Sequence, residues 1–259
     1  IYKENLVFLS YGLVDKLSKL AELIYVSGAL NGLSKDVRYQ DLHFVENPFI
    51  GFNGKDVEFG NGQLYLYIFD KLLQFIVSHE VGHFLNDHGK RLSNKNNILD
   101  DVEGHRKIAS KDLISSHARE LVADLYAFNN LLDYVEKSID TQKSSLIPLF
   151  SDKNGPVILT TLIIACYFQM MDGSNGHDHF TSTHPEAAMR ACAIMATYSE
   201  NLKEDSINEI FPTVISLLAK VFSVLEVDFK FDWGSRMASP EMKEWHLNIY
   251  NEYSKWVKN

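Results

Sequence analysis

The sequence FIVSHEVGHFLNDH, residues 75–88, decides the fold, because it carries the pattern HExxH at His79, Glu80 and His83. On an α-helix, positions i and i+4 lie only about 40° apart around the axis, so the two histidines project side by side. Both can then reach one metal ion, while Glu80 stays at the edge of the same face. The apolar flanks favour a helix, the only context in which the pattern has this meaning. The sequence predicts that helix over residues 64–88.

A second predicted helix, residues 113–138, supplies a candidate third ligand in the stretch HARELVAD. A catalytic zinc ion needs a third protein ligand and an open fourth position. Glu120 and Asp124 are again spaced i, i+4 and therefore share a helix face. Glu120 would complete a His/His/Glu set, and Asp124 would accept the free N–H of a ligand histidine. Ala123 is small and would let this helix approach the first one closely. The sequence thus predicts one zinc ion per chain, held by the HExxH histidines and Glu120.

Other interpretations of the same residues stay open. His117 lies three residues before Glu120, on the same side of the helix, and is the main rival as third ligand. A histidine pair on a helix surface and a solvated pair of carboxylates would need no metal.

A third segment, THPE at residues 183–186, precedes Arg190 and offers a polar side chain to a cleft. Pro185 is expected to open a helix, so His184 is biased to an extended backbone and its side chain is free to project. His184 is the predicted donor of a hydrogen bond to the oxyanion of a tetrahedral intermediate. Arg190 is a candidate to support a ligand carboxylate or the carbonyl region of a substrate. The alternative is a helix cap with ordinary surface residues.

The remaining sequence is mostly helical in pattern, with one β-favouring stretch. Residues 4–30 predict an amphipathic helix. Residues 36–59 combine proline, glycine and short β-favouring runs, which predicts a small sheet or hairpin. Residues 90–112 are polar and predict a loop, and His88 and His105 beside it are expected to be exposed. The expected fold is mainly α with a small β-sheet, an α+β fold of the zincin-like kind, in which the HExxH helix packs against the ExxxD helix.

An uncharged stretch, VILTTLIIACYFQMM at residues 157–171, raises the question of a membrane segment. It is shorter than the roughly 18 to 20 apolar residues of a spanning helix, so a helix buried in the protein core is the favoured interpretation. Residues 201–259 are mainly helical in pattern. A single metallopeptidase domain is expected over residues 1–259, with its core at about 40–200.

Composition limits the classes of partner. The formal net charge is -9, which is unfavourable for binding nucleic acid. The only two cysteines, Cys166 and Cys192, lie in apolar surroundings and are expected to be reduced thiols, which favours a cytoplasmic location. The first 33 residues contain no recognisable export signal. The oligomeric state does not follow from the sequence.

At the level of motifs, the chain resembles gluzincin metallopeptidases, in particular the CAAX-prenyl endopeptidases and the HtpX-like peptidases. These combine HExxH, a glutamate in an ExxxD helix, and a downstream His-Pro followed by arginine. The corresponding residues here are His79, Glu80, His83, Glu120, Asp124, His184, Pro185 and Arg190. The chain is also similar to the soluble Lit-type phage-exclusion peptidases, in which a short loop joins an apolar helix to the His-Pro element. The resemblance covers roughly residues 40–200 and implies a zinc-dependent endopeptidase that acts on a protein or peptide.

The expected mechanism uses Glu80 as the general base. Glu80 would take a proton from the attacking water and pass it to the leaving amine. Two other classes of function stay open: a catalytically inactive zinc-binding regulator or sensor, and an interaction module in which the motif is accidental. The unligated Glu80 disfavours the sensor, because a purely structural metal site needs no free base.

Overall fold

Helices make up almost all of the chain that the structure, a computed structural model, describes. The described residues are 7, 9–32, 63–89, 110–141, 154–172, 180–199, 204–224 and 233–258. The α-helices in these ranges are α1 (Tyr11–Val26), α2 (Gln63–Leu85), α3 (Ser110–Thr141), α4 (Gly155–Asp172), α5 (Ala187–Ser199), α6 (Glu204–Ser223), α7 (Trp233–Ala238) and α8 (Pro240–Tyr253), and a short 3₁₀ helix (Ala29–Gly32) follows α1.

The predicted α+β fold with a small sheet is wrong, because the described ranges hold helices and turns and no strand. The fold is mainly helical. Residues 36–59, which carried the prediction of a sheet, lie outside the described residues. Within the described ranges, the apolar faces of the helices are buried against one another, and the core that they form contains no strand. Short β-favouring runs are weak signals, because strand preference depends on the packing that surrounds them.

The two helices that carry the motifs form the most extensive helix–helix contact in the described chain. α2 packs along α3, and α1 packs on the other side of α2. The two motif helices touch at Gly82, where an added Cβ would lie 3.0 Å from the Cα of Ala123 and 3.2 Å from its carbonyl oxygen. This close approach brings HExxH and ExxxD face to face.

α4 lies in the centre of the core. It is 18 residues long and is long and apolar enough, by length and composition, to cross a membrane. Inside the fold, however, 83% of it is buried. α4 contacts α3, α5 and α6, and its buried side chains join those of α1 and α2 in the main hydrophobic cluster.

The C-terminal helix α8 covers α3 from a second side. Its N-terminus is capped by Ser239, whose side chain accepts a hydrogen bond from the backbone N–H of Met242, and Pro240 occupies the first turn. Met242 and Trp256 belong to a second hydrophobic cluster, which they share with residues of α3 and α5. The guanidinium of Arg119 on α3 lies 5.0 Å from the centre of the Trp256 ring. These contacts fix the C-terminal segment beside the motif helices.

Candidate metal centre

Three side chains from α2 and α3 converge on one point. The Nε2 atoms of His79 and His83 lie 3.1 Å apart. Each is 3.4 Å from an oxygen of Glu120, which is Oε2 for His79 and Oε1 for His83. These three residues offer ligand atoms that all lie within 4.8 Å of one another, so they could hold a metal ion. Glu80 is not a member of this group.

The spacing of these atoms fits a tetrahedral zinc ion. Zinc binds imidazole nitrogen and carboxylate oxygen at about 2.0 to 2.2 Å, so two ligand atoms of a tetrahedral site lie about 3.4 Å apart. The observed separations are 3.1 Å between the two histidine Nε2 atoms and 3.4 Å from each of them to a Glu120 oxygen. Two imidazoles and one carboxylate are also a donor set that zinc accepts, with one position left for water or substrate. The residues present therefore fit the ion that the sequence predicts.

Asp124 orients His79 and is itself held by Arg190. Its Oδ1 lies 2.9 Å from Nδ1 of His79. Arg190 donates two hydrogen bonds to the same carboxylate, from Nε to Oδ2 at 2.8 Å and from Nη2 to Oδ1 at 2.7 Å. With Asp124 facing Nδ1, the Nε2 of His79 points at the centre. Arg190 thus supports the carboxylate that faces His79.

The carboxylates of the centre are ionised. Burial alone would raise the pKa of Glu120, but contacts with His79 and His83 outweigh burial and hold that pKa well below its usual range. Burial likewise acts to raise the pKa of Asp124, and the guanidinium of Arg190 lowers it again. Burial acts to lower the pKa of His79, whereas Asp124 and Glu120 raise it to about 9.

His88 supports the second histidine, and the prediction that it is exposed is wrong. Its Nδ1 lies 2.7 Å from Nδ1 of His83, and its Nε2 lies 3.1 Å from the carbonyl oxygen of Trp256. The side chain is buried, with 2% of the residue exposed. Burial and the neighbouring His83 lower the pKa of His88 to about 4, so the ring is neutral. His105, predicted to be exposed as well, lies outside the described residues.

A left-handed turn explains how His88 reaches His83. α2 ends at Leu85, and Asp87 has a φ of 54°, a conformation that aspartate tolerates better than most residues. This residue turns the chain back, so that His88 faces the last turn of the helix. The dipeptide Asn86-Asp87 is the sequence signal that the prediction overlooked, because both residue types favour helix ends with this geometry.

His184 borders the centre from the segment before α5. Its Nε2 lies 3.8 Å from Oε2 of Glu120, and 60% of its side chain is exposed. The hydroxyl of Thr183 lies 3.1 Å from Nδ1 of His184. If this hydroxyl donates, the hydrogen of the imidazole is on Nε2, the nitrogen that faces the centre. The structure therefore brings His184 to the candidate metal-binding group, although no local spacing links them.

His117, the rival third ligand, points away from the group. Its Nε2 lies 2.9 Å from the carbonyl oxygen of Ser182, and its Nδ1 accepts a hydrogen bond from the indole N–H of Trp245 at 3.0 Å. Both ring nitrogens are thus engaged, and the ring is fully buried. His117 ties α3 to the segment that carries His184 and to α8. The geometry supports Glu120 over His117 as the third ligand.

Tyr167 on α4 is a residue near the centre that the sequence did not single out. Burial raises the pKa of its hydroxyl to about 12, with smaller effects from Arg190, Asp124, Glu120 and Glu80. The tyrosine therefore lies within electrostatic range of the charged residues of the centre, including the partly exposed Glu80. Its signal in the sequence is the one hydroxyl in the run LIIACYF, residues 162–168 of α4.

A helical fold with two histidines and a glutamate that converge at the contact of two helices defines a protein with a candidate metal centre. The family model described as Peptidase U49 matches residues 63–212, more than half of the 259-residue chain. The chain belongs to the Peptidase U49 family. This confirms the prediction that it resembles a peptidase. Comparison with the curated proteins and with the solved structures gave no significant match.

Proposed function

We propose that this peptidase is a zinc-dependent endopeptidase of the HExxH type, with one zinc ion per chain held by His79, His83 and Glu120. The observation that carries the proposal is the convergence of their three donor atoms at separations of 3.1 to 3.4 Å. A glutamate as third ligand is the feature that would place the chain with the gluzincins. Peptidases act on proteins or peptides, and the substrate is therefore a polypeptide.

Glu80 acts as the general base in this proposal. A zinc ion in the centre would supply Lewis acidity, which lowers the pKa of bound water to about 7 and polarises a carbonyl. Glu80 follows His79 on α2 and is partly exposed, so its carboxylate is accessible to solvent and is not one of the three ligand side chains. It takes a proton from the attacking water and delivers it to the leaving amine.

His184 stabilises the oxyanion that forms when the carbonyl is attacked. Its side chain is exposed, and its Nε2 lies 3.8 Å from Glu120, so an Nε2–H donor would face the space beside the ligand set. Thr183 favours that donor by its contact with Nδ1. A hydrogen bond that strengthens as charge develops on the oxygen lowers the barrier, and its loss costs about 10²-fold or more in turnover.

The test separates metal binding from hydrolysis. Purified protein is analysed for bound metal, and cleavage is measured on a library of peptides. We expect one zinc ion per chain in the wild type and in Glu80→Gln, with a rate loss of about 10² to 10⁴ in that variant. His184→Ala should also retain zinc and lose about 10²-fold in turnover.

Three results would each contradict part of the proposal. Loss of zinc from Glu80→Gln would make Glu80 a ligand instead of a base. Unaltered kinetics in His184→Ala would leave its segment with the role of a helix cap only. Zinc retained by His79→Ala, His83→Ala and Glu120→Ala together would place the metal elsewhere.

A further inference from the structure

We propose that His88 is a positioning residue that fixes the tautomer of His83, so that the Nε2 lone pair of His83 faces the metal position. The inference rests on the proposed metal centre and adds a residue to it that the HExxH and ExxxD motifs do not contain. The support comes from the C-terminal segment, since the partner of His88 is the backbone carbonyl of Trp256. Trp256 lies outside residues 63–212, the part of the chain that the family model matches.

The positions of the hydrogens follow from the partner of each nitrogen. A backbone carbonyl only accepts hydrogen bonds, so Nε2 of His88, 3.1 Å from the Trp256 oxygen, must carry a hydrogen. The ring of His88 is buried, which favours the neutral form with one N–H, and Nδ1 of His88 is therefore an acceptor. At 2.7 Å it can only accept from Nδ1–H of His83. With its hydrogen on Nδ1, His83 has its lone pair on Nε2.

The opposite tautomer of His83, with its hydrogen on Nε2, would prevent this ring from binding a metal ion. A hydrogen on Nε2 of His83 would point at Nε2 of His79, 3.1 Å away, and at Glu120. The two histidines would then form a hydrogen-bonded pair instead of a pair of ligands. Asp124 faces Nδ1 of His79 and so directs the Nε2 lone pair of that ring to the metal position. His88 has the same effect on His83, and the carbonyl of Trp256 is the final acceptor of the hydrogen-bond chain.

The acceptor carbonyl is held in place by contacts between the C-terminal turn and the end of α2. The backbone N–H of Lys258 donates to Oδ1 of Asn86 at 2.9 Å, and Nζ of Lys258 lies 2.7 Å from the carboxylate of Asp87. The backbone N–H of Trp256 donates to the carbonyl of Tyr253 at 2.9 Å. These contacts hold the Trp256 carbonyl beside the turn at Asn86 and Asp87 that precedes His88.

Two amide substitutions separate the roles of the two ring nitrogens. His88→Asn places an amide oxygen near the former Nδ1 and retains an acceptor for His83, but it does not reach Trp256. His88→Gln places an amide N–H near the former Nε2 and retains the donor to Trp256, but it removes the acceptor. Zinc affinity of the full chain is measured by competition with a chelator, and the fold of each metal-free variant is checked by circular dichroism and thermal unfolding.

We expect His88→Asn to bind zinc within a few-fold of the wild type, and His88→Gln to bind it about 10- to 100-fold more weakly. A residue that only ties the C-terminal segment to α2 would give the opposite order. That order, an equal loss in both variants, or wild-type affinity in both overturns the inference.

A measurement on the wild type tests the tautomers of His83 and His88 even if a variant fails to fold. Long-range ¹H–¹⁵N spectra of the histidine rings in metal-free protein report which nitrogen carries the hydrogen. We expect the Nδ1–H form for His83 and the Nε2–H form for His88, and an Nε2–H form for His83 overturns the inference. A wild type that shows these tautomers and binds no zinc would refute the metal centre alone, so the two failures are distinguishable.

Discussion

At the scale of single residues, Asp124 combines two tasks in one fully buried carboxylate. It faces Nδ1 of His79 and accepts two hydrogen bonds from Arg190, whose guanidinium is buried as well and also lies 4.0 Å above the ring of Phe168. A buried guanidinium is tolerated only with its counter-charge in place. The orientation of a ligand histidine and the stability of the fold thus depend on the same ion pair.

Asp124→Asn should therefore destabilise the fold. The substitution leaves the buried charge of Arg190 without its counter-charge, a loss of about 3 to 5 kcal/mol in the free energy of unfolding. Asp133→Asn is the matched control, because Asp133 lies on the same helix and pairs with Lys137 at the surface. We expect the control to cost about 0.5 kcal/mol or less. Urea unfolding of the metal-free proteins measures both, and similar losses in the two variants would contradict the prediction.

Part of the candidate site follows from the sequence because its spacing is local. The i, i+4 periodicity of a helix is enough to bring His79 next to His83, and Glu120 next to Asp124. The contact of His83 with His88 depends on a left-handed conformation at Asp87, and that conformation cannot be obtained from helical periodicity. Polar neighbours made His88 look like a surface residue, whereas the C-terminal segment, distant in sequence, buries it.

At the scale of helices, the site depends on how closely α2 and α3 approach. Gly82 lies one residue before His83, and its missing side chain leaves room for the backbone of Ala123 and the ring of Tyr126. Ala123 in turn lies one residue before Asp124. The separation of the two helices at this point thus sets the distance between the ligands that each helix carries.

Gly82→Ala should push the helices apart. The added Cβ would lie 3.0 Å from the Cα of Ala123, and backbone atoms cannot give way as a flexible side chain can. Overpacking of this kind costs about 1 to 3 kcal/mol, against a gain of about 1 kcal/mol in helix propensity. We expect a net loss of stability and weaker zinc binding, measured by thermal unfolding with and without zinc.

Gly12→Ala on α1 is the control for this substitution. An added Cβ there meets nothing within 4 Å, so only the gain in helix propensity applies. Stability should stay the same or rise by up to about 1 kcal/mol, and zinc affinity should not change. A Gly82→Ala protein that behaves like this control would show that the helices adjust at no cost.

The helices themselves were predictable, and the class of fold was not. The predicted helices at residues 64–88, 113–138 and 157–171 agree with α2, α3 and α4 to within a few residues. Each is long, and its pattern spans several turns, which makes periodicity a strong signal. The runs that suggested a sheet within residues 36–59 are too short to distinguish a strand from other structure. In the part of the chain that the structure describes, helices bury their apolar faces against other helices, and this packing does not follow from short runs of sequence.

At the scale of the whole molecule, the burial of α4 bears on whether the protein partitions into water or lipid. Its composition would suit a membrane, but 83% of its length is buried by the surrounding helices. A side chain that already contacts protein gains nothing from contact with lipid. We expect the 259-residue chain, expressed by itself, to remain in the supernatant after high-speed centrifugation without detergent. Recovery in the membrane pellet, with release only by detergent, would contradict this expectation.

The contact between His88 and the carbonyl of Trp256 also determines when, during synthesis of the chain, the site can be completed. The two residues are 168 positions apart, and a ribosome that adds about 5 to 20 residues per second needs roughly 8 to 34 s to pass from one to the other. During that interval the nascent chain already contains HExxH and ExxxD, but His83 has no final partner to orient it. The candidate metal centre is therefore completed late in synthesis, after His79, His83 and Glu120 have all been added to the chain.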